Sequence, residues 1–205
     1  MLSNIKFYEQ NSIKIGDIYF DPFNVTDELH DAKLIFLTHS HYDHLSIEDL
    51  IKVKNENTVI IVPEDVFDKV KELFSTEKII VVEPNNRYNI EGISFETVPM
   101  YNIEKSFHPK ENKWVGYVIN YNNYIYYIVG DSDATKEMLE VKCDALFIPI
   151  GGKFTMDIDE AVDATITINP KVVIPVHYGT IIGSFEDGEI FKSKIPVHIE
   201  CILKK

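Results

Sequence analysis

From Ile5 to Phe23 the segment IKFYEQNSIKIGDIYFDPF alternates apolar and polar positions or uses β-branched residues, the period-two signature of strands. Gly16-Asp17 interrupts it where a turn belongs, so two or three antiparallel strands are predicted. AKLIFLTH, ending at His39, reads as a buried strand, and Ser46 can cap a short helix over IEDLIKV with its acids in the first turn. TVIIVP, EDVFDKVKELF and KIIVV then read as strand, helix and strand, and ISFETVPMYN as a further strand.

The remainder repeats this style with different residues. KWVGYVINYNNYIYYIVGDSD is a hairpin turning at Asn122-Asn123, residues that tolerate left-handed backbone. A helix over TKEMLEV, a strand DALFIPI, a helix over DIDEAVDATITI and a strand KVVIPVH follow, and KIPVHIECIL closes the chain. The expected picture is two αβ halves whose sheets pack on each other with helices outside.

Length and composition are compatible with that picture. A chain of 205 residues fits one domain or two small fused halves, and no apolar run approaches the roughly 20 residues of a spanning helix. The N-terminal MLSNIKFYEQ has no export pattern, so the cytoplasm is expected. Cys143 and Cys201 lack the spacing of a disulfide framework or a CxxC pair and are read as reduced thiols. A formal net charge of −13 disfavours a nucleic-acid partner, which normally meets a basic stripe, and no membrane partner is expected.

Chemistry concentrates at the ends of predicted strands. In LTHSHYDHLS, His39 and His41 are two apart on extended backbone, while a turn can bring back His44 and leave Asp43 to supply oxygen. IVGDSD puts Asp131, and IPVHYG puts His177, in the same situation. Imidazoles with carboxylates suit zinc, and also iron or manganese; more than four ligands imply two ions sharing a carboxylate.

THSHYDH, GDSD and PVHYGT together resemble the metallo-β-lactamase superfamily, and PIGGKFTMDIDEAV resembles its small branch related to ascorbate 6-phosphate lactonases. The resemblance implies an α/β fold, a four-layer αβ/βα sandwich, as a single domain over residues 1–205. It implies that His39 and His41 hold a first metal, that Asp43, His44 and His177 hold a second, and that Asp131 bridges them. It also implies one more first-site histidine after a mid-chain strand. Tyr101-Asn102 stands where that residue is sought, and we assign the role to His108 in KSFHPKENKWVG. The competing reading makes His108 a loop residue and leaves the first site short of a ligand. Asp21 in YFDPF matches a recurrent position of this fold, either orienting a ligand histidine or simply turning the chain before Pro22.

The implied activity is hydrolysis of a small ester, lactone or phosphodiester. Two zinc ions would generate hydroxide at neutral pH, Asp43 would orient it, and the substrate is a small molecule, anionic in one version. A nuclease or phosphodiesterase of the same fold and a non-catalytic metal-binding protein are the alternatives. Lys105, Lys110 and Lys153 are read as solvated lysines that could also meet an anion, and Thr155 and Met156 as candidate pocket residues. Tyr178 is read as a substrate contact or a packing residue, and His30 and His198 as structural or surface residues. The segments 101–113 and 179–190 are read as specificity loops.

Overall fold

The computed structural model describes residues 5–204, so the opening residues of the N-terminal segment lie outside the described part. The chain falls into two compact units divided between Glu83 and Pro84.

The first unit is built on one six-stranded sheet in chain order: β1 (Ile5–Phe7), β2 (Ile13–Ile15), β3 (Ile18–Phe20), β4 (Leu34–Phe36), β5 (Val59–Pro63) and β6 (Ile79–Val82). β1, β2 and β3 pair antiparallel, the last two through the turn at Gly16-Asp17, where Ile15 faces Ile18. From β3 to β6 every pairing is parallel. The crossovers carry α1 (Ile47–Val53), capped by the Ser46 side chain on the Asp49 N–H, and α2 (Glu64–Val70). Leu50, Val53, Val66 and Val70 pack on Ile35, Leu37, Ile60 and Val62 of the sheet. Each such buried aliphatic side chain stabilises by about 1.5–3 kcal/mol.

The second unit is a seven-stranded sheet of β7 (Arg87–Ile90), β8 (Ile93–Pro99), β9 (Val115–Tyr121), β10 (Tyr124–Ile128), β11 (Ala145–Pro149), β12 (Val172–Val176) and β13 (Glu200–Cys201), in the order β13-β12-β11-β10-β9-β8-β7. β7 through β10 run antiparallel, and β10 through β13 parallel. The hairpin turns at Asn122 and Asn123, with φ of 54° and 59°, as a type I′ turn requires. α3 (Lys136–Leu139), α4 (Ile158–Ile168) and α5 (Phe185–Lys194) complete the unit. Asp157 and Glu160 form a capping box on α4, whose Ala161, Ala164 and Ile168 pack with Leu146, Ile148 and Val173.

Two elements depart from the sequence expectation. β7 was not anticipated in the polar stretch RYNI, where pairing with β8 supplies what the apolar pattern does not. The segment 179–190 is not all loop, because α5 starts at Phe185 behind a Ser184–Asp187 capping box. An interior glycine and weak apolar periodicity hide that helix. Gly188 is there for packing, since a Cβ at this position would lie 2.4 Å from the Tyr178 hydroxyl. Among the described residues no helix is long and apolar enough to cross a membrane.

Candidate metal centre

Because β3 and β4 are parallel neighbours, their carboxyl ends open on one edge, and the residues just beyond them meet there. Asp21 leaves β3 in left-handed backbone at φ 41°, fully buried. Its carboxylate accepts the Thr38 backbone N–H at 2.7 Å, the Thr38 hydroxyl at 2.7 Å and the His44 Nδ1–H at 2.8 Å. The Thr38 proton is thus committed to Asp21, and its oxygen lone pair faces His39 Nδ1 at 3.0 Å. Assigned from this network, His39 and His44 each carry their proton on Nδ1 and present a lone pair at Nε2.

The turn after His39 does the rest. His44 and Leu45 both donate their N–H to the His41 carbonyl, at 3.0 and 2.9 Å, folding His44 back toward His39. The His39 and His44 rings then lie 4.0 Å apart by centroid, and His39 Nε2 is 3.0 Å from His41 Nδ1. His44 Nε2 faces Asp43 Oδ2 at 3.8 Å. A nitrogen lone pair facing a carboxylate oxygen is acceptor against acceptor, an arrangement that a cation relieves.

In the second unit the same topological logic applies to four strands. β8, β10, β11 and β12 all point one way, so the loop 101–108, Asp131, the segment 150–156 and His177 share one edge of the sheet. His108, Asp131 and His177 are buried and converge: His108 Nε2 lies 3.4 Å, and His177 Nε2 3.1 Å, from the same Asp131 oxygen, Oδ2. His108 Nδ1 lies 3.0 Å from Asn102 Oδ1, an atom that only accepts, so in the neutral ring Nδ1 carries the proton and Nε2 presents a lone pair to Asp131. His177 takes left-handed backbone at φ 57°, and Gly151 leaves room for it. A Cβ on Gly151 would lie 2.7 Å from the His177 carbonyl oxygen and 3.1 Å from its Nδ1. Each unit therefore carries buried imidazoles and carboxylates whose donor chemistry fits zinc, iron or manganese.

The other expected residues sort differently. His108 is not a solvent-facing loop residue. Lys105 is not a solvated lysine either, because it bonds Asp133 Oδ1 at 2.7 Å and the Thr155 carbonyl at 2.8 Å. Met156 belongs to the hydrophobic core, Thr155 is fully buried, and Tyr178 packs in the same core. Lys110 pairs with Glu137. His30 binds Glu28 and the Lys54 carbonyl at the surface, and exposed His198 meets Asn169. Neither Cys143 nor Cys201 is in a disulfide. What the sequence reading missed is the hydrogen-bonded partnership of Asn102, Lys105 and Asp133 beside His108. Its one signal is Asp133 within GDSD.

Residues 17–178 match the family described as the beta-lactamase superfamily domain. A UPF0173 metal-dependent hydrolase of Christiangramia forsetii is 32% identical over 212 residues, spanning 93% of this chain and 91% of the relative. Another, of Pyrococcus horikoshii, is 27% identical over 217 residues, spanning 100% and 94%. Among solved structures, a protein of Parabacteroides distasonis superposes with a TM-score of 0.82 at 24% identity, over 98% of this chain and 91% of its own. The metallo hydrolase Igni18 of Ignicoccus hospitalis gives 0.78 at 21%, over 97% and 93%. The α/β fold of two sheets expected from the resemblance is the fold of these structures. Motif, fold and full-length relatives agree, and the chain belongs to the metallo-β-lactamase superfamily.

Proposed function

We propose that this chain, a metal-dependent hydrolase by family, acts as a single cytoplasmic domain that cleaves a small ester, lactone or phosphodiester at a binuclear zinc centre. In this reading His39, His41 and His108 bind one ion, Asp43, His44 and His177 the other, and Asp131 bridges. Manganese and iron suit the same ligands. The observation that carries it is the set of histidine Nε2 atoms turned toward the carboxylates Asp43 and Asp131. That polarity is imposed from behind by Asp21 and Asn102.

Bound ions would supply Lewis acidity and activate water at neutral pH. The protein's own part is placement. Asp21 fixes His44 directly and His39 through Thr38, while Asp43 would orient the attacking water. The substrate is a small molecule, and an anionic one suits the cations of the site.

The test is metal content by elemental analysis, followed by hydrolysis of lactone, ester and phosphodiester panels with and without chelator. Chelator-sensitive turnover by protein holding about two ions per chain supports the proposal. Metal-free protein as purified, to which zinc does not bind on titration, would overturn it.

A further inference from the structure

We propose that Asn102 is a positioning residue that sets the tautomer of His108, and that Lys105 and Asp133 dictate which way the Asn102 amide points. The inference rests on the reading of His108 as a metal ligand and adds how the chain prepares it.

The argument is one of hydrogen-bond direction. An asparagine amide has a nitrogen that only donates and an oxygen that only accepts. Asn102 Nδ2 lies 3.1 Å from Asp133 Oδ1 and 2.9 Å from the Phe154 carbonyl oxygen, two acceptors. Asp133 is itself committed, taking Lys105 Nζ at 2.7 Å on Oδ1 and the Ile103 N–H at 2.9 Å on Oδ2. The amide nitrogen must face this pair, which turns Oδ1 toward His108. There it accepts the His108 backbone N–H at 3.0 Å and meets ring Nδ1 at 3.0 Å.

An oxygen already accepting cannot donate to Nδ1, so Nδ1 carries the proton. In the neutral ring the lone pair is then on Nε2, the atom 3.4 Å from Asp131 Oδ2. Flipping the amide would oppose acceptor to acceptor at Asp133 and Phe154 and donor to donor at the His108 backbone N–H, in a site where Asn102 and Asp133 are buried. Lys105 also donates to the Thr155 carbonyl, tying the 101–108 loop to the segment after β11.

His44 receives the same tautomer from a carboxylate, Asp21, whereas His108 receives it from a neutral amide. Asn102 therefore orients its histidine without adding charge beside Asp131. The residue found where a ligand histidine is sought acts through His108 instead.

The experiment uses metal-free full-length protein with 15N-labelled histidine and long-range 1H–15N spectra at about pH 8, where an ordinary histidine is neutral. His108 is expected as the Nδ1–H tautomer in the wild type. Asn102→Leu, which removes the acceptor, is expected to lose it. Zinc titration of the same samples should show affinity reduced about 10- to 100-fold in Asn102→Leu. An Nε2–H tautomer in the wild type, or an unchanged tautomer in folded Asn102→Leu, overturns the inference. The wild-type spectrum decides alone if Asn102→Leu does not fold. If the tautomers come out as expected but the wild type binds no zinc, the positioning role stands and the metal reading fails.

Discussion

Asp21 Oδ2 and His44 Nδ1 stand 2.8 Å apart, both fully buried, one at the end of β3 and the other in the turn after β4. The carboxylate also holds both Thr38 donors, so one side chain governs two of the histidines. Asp21→Asn puts an amide NH2 against groups that donate. We expect zinc affinity to fall about 10- to 100-fold and stability by about 3 kcal/mol, as for a broken buried network. Calorimetric zinc titration and urea unfolding measure both; wild-type values in the variant would remove Asp21 from this role.

His108→Ala separates ligand from bystander. The wild type, purified without added metal, should carry about two ions per chain and the variant about one. Equal metal content in the two proteins would make His108 a neighbour of Asp131 and nothing more.

Gly151→Ala tests the close approach of Gly151 to His177. The new methyl would need the His177 backbone or ring to move by several tenths of an ångström, because ordinary contacts begin well beyond 2.7 Å. A loss of about 1–3 kcal/mol is expected from the overpacking, with weakened zinc binding. A variant that melts and binds zinc like the wild type would show that His177 has slack.

Alkaline stability follows from burial. Burial pushes the Cys143 thiol up to about 12, the Cys201 thiol up to about 11 and the Tyr178 hydroxyl up to about 12. The folded protein keeps these protons where the unfolded chain gives them up. Stability from that difference is whole below the ordinary thiol value of 9.0 and drains as pH rises from there toward about 12. Urea midpoints should fall steadily above about pH 9, and a flat profile would contradict the assignment.

Much of this molecule is legible in its residues because the relevant signals are local. The turn in HSHYDH folds within six residues, and Asp131 and His177 announce themselves by following apolar strands. The Asn122-Asn123 turn and the Asp157 cap are likewise short-range chemistry. The partnership of Asn102, Lys105 and Asp133 is not readable, because its meaning is the direction of hydrogen bonds between segments brought together only by the sheet. Lys105 in isolation looks like any surface lysine. α5 is obscured for a different reason: Gly188 is spent on contact with Tyr178, which weakens the helical pattern.

Asp21 and His177 both sit in left-handed backbone, at φ 41° and 57°, where side chains with a Cβ are strained by roughly 1–3 kcal/mol. Glycine would relax either position and abolish its donor atoms. At Asp21 the buried network outweighs that relief, so only at His177 do thermal endurance and ligand chemistry pull in opposite directions. A directed-evolution campaign scored by melting temperature alone would be drawn to His177, and would return a sturdier protein without that buried imidazole.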